Sequence, residues 1–546
     1  MRLILRYLIL LLPFVAVLRA ELPRLETRAG AVRLIVDGQP FIARGGELGN
    51  STGESGYLAQ YWDKLEGMHV NFLLVPVYWD MVEPEEGRYD FSDLRKVIEE
   101  ARARDIRLGL LWFASWKNSM SCYAPAWVKT DVERFPRALD ENGIRQEIVS
   151  PFYEENWRTD AKAFAALMRE LKSFDGQHHT VITVQVENEI GMIPSARDYS
   201  EAANRAYTAN VPAEVIAMLQ NRPELADGRV AVAWREQGSL TTGSWAQVFG
   251  ANAETEEFFM AYYFAKYVEH VTKAGKDIYP LPMFVNAALI RAGYQPGQYP
   301  SAGPLPHLIE LWELGAPSID FFSPDIYFPN FVEWTRAYRR LGNPLFVPEA
   351  LRTIDASVNG LYAFGEHQAM AFCPFGIESV DGQVERALRD SYDIVRQLTP
   401  LLAKTEPSQS RGLLKEAPTN TKPQEIRLGG YVFNASFERS TLPGPADGVI
   451  VHDNTGGYGA ATYPAGGLML QLGPDEFLFA GIGVVVTFDD LDPTTQVGIL
   501  QCEEGRYENG EWQRIRLLNG DQTHQGRHLR LEPGRFTIQR IKLYRY

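Results

Sequence analysis

Residues 180–189 read Thr180-Val181-Ile182-Thr183-Val184-Gln185-Val186-Glu187-Asn188-Glu189. As far as Val186 the run is dominated by β-branched residues, which suit a pleated strand. It is near-continuously apolar rather than cleanly alternating, the pattern of a strand buried on both faces. Such strands belong to parallel sheets covered by helices. Polar residues take over at Glu187, so the chain leaves the sheet there, at the strand's C-terminal end.

The same grammar extends in both directions. Apolar β-rich runs occur at Val70–Tyr78, Ile106–Phe113, Met283–Asn286, Ile319–Tyr327, Leu345–Pro348 and Ala369–Phe375. Amphipathic stretches such as Leu94–Arg104 and Trp157–Leu171 lie between them and predict helices. With Phe41–Gly45 as the first strand the set reaches eight, the number that closes a (β/α)₈ TIM barrel. A doubly wound open sheet shares the alternation, but no Gly-rich phosphate loop follows an early strand. The expected architecture is α/β, a barrel over residues 21–395 followed by an all-β sandwich over 405–546. Ahead of the barrel, Val32–Ile42 reads as strand with a turn at Asp37-Gly38. Between the fourth and fifth strands the chain is far longer than one crossover helix requires. Glu257–Ala274 supplies that helix, which leaves an insertion around 195–255, either facing substrate or decorating the barrel. Pro400, Pro407, Pro418 and Pro423 mark a linker-like zone, and beyond it the helical period disappears. Asn509-Gly510 and Asn519-Gly520 are hairpin turn signals in the β-rich remainder.

Bulk properties narrow the partners. A net charge of −15 repels phosphate backbones and anionic lipid, which argues against nucleic acid and membrane surfaces. Aromatics at 12% supply flat, amphipathic surface suited to sugar rings as well as to cores. Arg2 and Arg6 precede the apolar run Leu8–Leu18, and Ala20 is a small residue at a cleavage position. Residues 1–20 therefore read as a signal peptide, with a secreted or periplasmic mature protein. Cys122, Cys373 and Cys502 are too few for a disulfide framework, although Cys122 and Cys373 are candidates for one pair. Nine histidines in no ligand-like spacing give no metal site, and no cofactor motif is present.

In a barrel enzyme the chemistry sits where strands end. The fourth strand ends in Glu187-Asn188-Glu189, and the seventh ends Phe346-Val347-Pro348-Glu349. Carboxyl groups at the same end of strands on opposite sides of one barrel face each other across its mouth. Glycoside hydrolysis needs such a pair, one to protonate the leaving oxygen and one to attack or to activate water. A strand-end Glu also serves as an ion-pair partner, a reading that weakens when two occur at matching ends. Strand alternation leaves Glu187 and Glu189 open, since residues two apart share a face. Trp116, Lys117 and Asn118 close the third strand and are placed either to bind a sugar or, for Trp116, in the core. Tyr327 closes the sixth strand, where it can reach the carboxylate of Glu349, and Asn286 closes the fifth. Arg44 and Glu47, at the first strand's end, are expected to pair with each other.

The stretch Ile182–Gly191 resembles the acid/base strand of glycoside hydrolase family 35, the β-galactosidases. Trp79, Glu83-Pro84, Gly87, Asp90 and Phe91, then Pro125-Ala126-Trp127, resemble signatures of that family and of family 42. Pro344–Glu349 is similar to their nucleophile strand. The resemblance spans about residues 30–395 and implies Glu189 as acid/base, Glu349 as nucleophile and Asn188 as a ligand of the sugar 2-hydroxyl. Ala350, Leu351 and Arg352 depart from the aromatic that follows the nucleophile in animal members, and Trp116-Lys117-Asn118 replaces a Glu-containing loop. Bacterial members with an appended β-domain are closer to this pattern. The resemblance implies an exo-acting, retaining β-galactosidase on carbohydrate substrates; the alternative is a retaining β-glycanase or a glycosidase of other sugar specificity. A carbohydrate-binding protein on an inactive barrel has no need of both carboxylates. Charge repulsion from Glu349 is expected to raise the pKa of Glu189.

Overall fold

The computed structural model describes residues 21–415, 422–438, 463–518 and 520–546, with the backbone of two short strands at Val451–His452 and Tyr458–Gly459. Residues 1–20, Pro418 and Asn519 lie outside the described residues.

Eight strands form one closed barrel: β1 Ala43–Glu47, β2 Phe72–Tyr78, β3 Arg107–Lys117, β4 Val181–Asn188, β5 Met283–Ala288, β6 Phe321–Ile326, β7 Phe346–Ala350 and β8 Ala371–Pro374. Each is parallel to its neighbours in chain order, and β8 pairs with β1 to close the ring. Every run read as a strand occupies its place, with ends shifted by a few residues. The interior is a packed aromatic and aliphatic core: Phe284 stacks on Phe321 with ring centroids 5.1 Å apart, and Phe346 lies 4.8 Å from Phe284. Gly109 on β3 is required by this packing, since a Cβ there would meet Leu74 at 2.6 Å and Phe72 at 2.8 Å.

A three-stranded antiparallel sheet, Arg24–Arg28, Ala31–Val36 and Gln39–Phe41, precedes β1. Asp37 and Gly38 turn its second hairpin with φ of 50° and 76°, the left-handed conformation that Asp-Gly accommodates. Its Leu34 and Val36 join the barrel-interior core, and Asp37 pairs with Arg107 at the start of β3 at 2.8 Å. The sheet thus stoppers the N-terminal end of the barrel and leaves the C-terminal end as the open one.

Between β4 and β5 the helices Glu201–Thr208, Ala213–Asn221, Arg229–Glu236 and Trp245–Phe249 form the insertion, and Ala253–Lys276 is the crossover helix. The linker-like zone is largely structured. Pro400 sits near the end of the helix Gly382–Leu402, Pro407 opens a short 3₁₀ turn, and Ser410–Leu413 is already a strand. Beyond it, a six-stranded and a four-stranded antiparallel sheet share one core, in which Phe477, Phe479 and Ile541 meet Phe433, Val486 and Leu531. That is a β-sandwich. Asn509-Gly510 turns the hairpin between Val497–Glu508 and Glu511–Leu517, with φ of 52° and 82°. Cys122, Cys373 and Cys502 are all free; Cys373 is buried in the barrel core and Cys122 is exposed, so the expected pair does not form. Among the described residues no helix is long and apolar enough to cross a membrane.

Candidate active site

The open end of the barrel holds a cavity of about 390 Å³ lined by Asn50, Lys117, Asn118, Glu189, Tyr327, Glu349, Leu351, Arg352 and Phe375. The lining comes from chain at or just beyond the ends of β1, β3, β4, β6, β7 and β8, and the insertion between β4 and β5 contributes none of it.

The end of β4 settles which glutamate faces this cavity. Glu187 and Glu189 both take left-handed backbone conformations, with φ of 61° and 43°. Such a conformation is costly for a side chain bearing Cβ and breaks the strand's two-residue alternation. The side chain of Glu187 consequently turns to the outer face. Its Oε2 accepts from the backbone N–H of Trp116 at 2.8 Å, and its neighbour is Asp160 on the helix Glu154–Phe174. Burial, then the charge of Asp160, holds the Glu187 carboxyl well above the usual range. Asp160 also accepts from Trp112 Nε1 at 2.9 Å and Ser115 Oγ at 2.6 Å. Glu187 therefore belongs to a polar knot behind the strand, and Glu189 to the cavity.

Glu189 is held by three neighbours. Its backbone N–H donates to Asn286 Oδ1 at 2.9 Å, Ser119 N–H donates to its carbonyl at 3.1 Å, and Asn118 Nδ2 donates to its Oε2. Across the cavity, Glu349 accepts from Tyr327 OH at 2.5 Å and from Asn188 Nδ2 at 3.3 Å. Lys117 Nζ donates to Asn188 Oδ1 at 2.8 Å, which fixes the amide so that its N–H faces Glu349. Glu189, Glu349 and Asp325 present carboxylate oxygens that all lie within 4.8 Å of one another. Burial first, and the charge of Glu349 second, push the carboxyl of Glu189 up to about 7, against the opposing pull of Lys117, of the neighbouring Asp325 and of the hydrogen bond from Asn118.

The structure thus brings Asn188, Lys117, Asn118, Asn286 and Tyr327 around the two glutamates, Asn286 acting through the backbone of Glu189. It does not bring Trp116. That side chain is fully buried and packs edge-on against Tyr267 at 4.6 Å and Phe264 at 5.4 Å, so it is core rather than sugar platform. The expected Arg44–Glu47 pair is also absent. Residues three apart on a strand point to opposite faces. Arg44 donates to the carbonyl of His69 at 3.0 Å on the outside, whereas Glu47 is buried inside, with no hydrogen-bond partner on either carboxyl oxygen among the described residues. Burial and the charge of Glu349 hold Glu47 well above the usual carboxylate range. Sequence reasoning passed over Asp325 as well. Its signal was present, because it lies two residues before Tyr327 at the end of β6.

Residues 57–247 match the family model of glycoside hydrolase family 42, described as beta-galactosidase, a span that includes Glu189 and stops short of Glu349. Residues 388–530 match a domain of unknown function. A β-galactosidase of Xanthomonas manihotis is 26% identical over 206 residues, 36% of this chain and 31% of that protein. β-Galactosidase BbgII of Bifidobacterium bifidum is 30% identical over 145 residues, 25% of this chain and 19% of that protein. The chain spans less than a third of the length of these curated relatives. Among solved structures, a β-galactosidase from the psychrophilic Marinomonas ef1 superposes with a TM-score of 0.47 at 11% identity, covering 67% of this chain and 62% of that one.

Proposed function

We propose that this chain is a retaining β-galactosidase that removes terminal galactose from β-galactosides by double displacement. The observation that carries the reading is the approach of Glu189 and Glu349, whose oxygens come within 4.8 Å of each other across one cavity. Retaining enzymes hold their two carboxyl groups about 5–5.5 Å apart, whereas inverting enzymes leave about 6.5–9.5 Å for a water molecule. The family-model match over residues 57–247, which carry Glu189, and the likeness to curated β-galactosidases support the sugar preference. The Glu187-Asn188-Glu189 sequence favours family 35 within the same clan of barrel glycosidases.

In the first step Glu189 transfers its proton to the glycosidic oxygen while Glu349 attacks the anomeric carbon, releasing the aglycone alcohol and leaving a glycosyl ester on Glu349. In the second, Glu189, now a carboxylate, takes a proton from water, whose oxygen displaces Glu349. Tyr327 and Asn188 steady the attacking carboxylate, and Asn188 is placed to bind the 2-hydroxyl of the sugar. The cavity's volume of about 390 Å³ supports attack on chain ends rather than on interior linkages. The basic start and apolar run of residues 1–20 support export of the protein.

The test is hydrolysis of 4-nitrophenyl β-galactoside beside the glucoside, fucoside and xyloside, with the first-formed anomer read by proton NMR. β-Galactose as the first product is expected. Initial release of α-galactose would overturn retention, and a faster rate on another glycoside would overturn the sugar assignment.

A further inference from the structure

Asp325 is a carboxyl group for which double displacement has no use. It is 1% exposed, at the end of β6, with a carboxyl oxygen within 4.8 Å of an oxygen of Glu189 and of Glu349. Its surroundings fix its orientation. Asn286 must turn its Oδ1 toward the backbone N–H of Glu189 (2.9 Å), which turns its Nδ2 onto Asp325 Oδ2 at 2.7 Å. Asp325 Oδ1 is left buried with no partner within the hydrogen-bond limit among the described residues. The charged and titratable groups facing it are Glu189 just past β4, Glu349 on β7, Glu47 on β1, Tyr327 just past β6 and Tyr338 on the following helix; Lys117 on β3 is the buried cation of the same cavity, and Arg352, an exposed cation, also lines it. One buried ammonium, with the exposed Arg352 at the cavity wall, cannot balance four buried carboxylates, so protons must reside on some of them.

We propose that Asp325 is a positioning residue that stays a neutral carboxylic acid through the catalytic cycle and donates its hydrogen bond from Oδ1 to the carboxylate of Glu189 once Glu189 has released its proton. Asp325 keeps its own proton throughout, so no net transfer passes through it. A neutral donor aimed at a newly formed carboxylate stabilises it as a charge-assisted hydrogen bond. The electrostatics run the same way: burial, then the charges of Glu349 and Glu189, hold Asp325 well above the usual carboxylate range, and contact with Asp325 lowers the pKa of Glu189. The assignment rests on Glu189 being the proton donor proposed above.

Two variants and two readouts separate the possibilities. The first readout is the pH dependence of kcat/KM on 4-nitrophenyl β-galactoside. In D325A the donor is gone, so the basic limb moves to higher pH and kcat falls about 10- to 100-fold, the worth of a hydrogen bond to a charged group. D325N restores a neutral N–H donor and returns the limb and most of the rate. If Asp325 were ionised, either change would remove a negative charge beside Glu189, and both limbs would move to lower pH; that overturns the proposal. The second readout needs no turnover. The infrared difference spectrum of wild type minus D325N at neutral pH should contain the carbonyl stretch of a protonated carboxylic acid. A carboxylate band in its place overturns the proposal even if no glycoside is cleaved. Loss of galactosidase activity in wild type with the protonated band present would instead sink the functional reading and leave Asp325 as assigned.

Discussion

Glu189 must hold a proton when the glycosidic bond breaks and be rid of it when water attacks. Below about 7 its carboxyl is protonated, so kcat/KM is expected to hold on the acid side and to fall as pH rises through that value. In Glu189→Gln the basic limb should flatten with an activated aryl galactoside, and a sugar leaving group should lose about 10²–10⁴-fold more rate in glycosylation than the nitrophenolate does. Stopped-flow comparison of the two substrates checks this; equal losses would make Glu189 structural. Charge repulsion from Glu349 was the expected cause of the raised pKa, yet burial ranks first. Glycosylation of Glu349 therefore removes only part of the shift, and the pKa of Glu189 falls partway. For Glu349→Ala, hydrolysis should vanish, and azide, entering on the vacated face, should restore turnover and yield a galactosyl azide opposite in configuration to the hydrolysis product. Mass spectrometry and NMR of the product check the outcome, and wild-type rates in the variant would displace Glu349 from its role.

At the scale of elements, the strands were legible because burial on both faces leaves an apolar run that few other structures produce. What lay at their ends was less so. Alternation predicted that Glu187 and Glu189 share a face, and two left-handed residues overrule it. A strand-end position left Trp116 open between sugar and core; β3 runs on through it to Lys117 and packs its ring against Tyr267, which makes it core. The Trp79-to-Gly87 signature also acquires a physical meaning. The buried Glu83 carboxylate accepts from Trp79 Nε1 at 2.8 Å and from the N–H of Gly87 at 2.7 Å, and its backbone carbonyl accepts from Trp127 at 3.1 Å. The motif pins the loop after β2 and takes no part in the cavity lining. Glu83→Ala should lower stability by about 2–4 kcal/mol, two buried hydrogen bonds' worth, read as a denaturant midpoint shift with KM for surviving enzyme little changed. A large KM change at unaltered stability would place Glu83 in substrate binding instead.

At the scale of the molecule, barrel and sandwich share a core. Leu468, Leu470 and Ile482 of the six-stranded sheet belong to the same apolar cluster as the barrel's helices. The helix Ala356–His367 lies against that sheet, with Ser410 Oγ bonded to the carbonyl of Gly365. A Cβ at Gly365 would meet Leu468 Cβ at 2.6 Å and the carbonyl oxygen of Arg411 at 2.7 Å, so no side chain fits without parting the two. Wild type is expected to melt in one calorimetric transition, and Gly365→Val to split it into two. A single transition in Gly365→Val, merely lowered in temperature, would mean that the contact does not couple the domains. The sequence marked the change of grammar near residue 400 but gave no sign of this seam, because a glycine kept for close approach reads the same as one kept for a turn.

Four carboxyl groups around one buried ammonium, the arrangement that demands shared protons, also decide which visitors the cavity welcomes. A galactose-shaped ring carrying a protonated nitrogen brings the countercharge that the cavity lacks, whereas a sugar acid adds to an existing surplus. Inhibition constants should therefore diverge with pH. The iminosugar should bind more tightly as Glu189 sheds its proton through about pH 7, and the galactonate should weaken over the same interval. Parallel profiles for the two would mean that the excess of acids is already neutralised. The crowding that tunes one proton for chemistry would then also serve as a charge filter, screening ligands before any bond is touched.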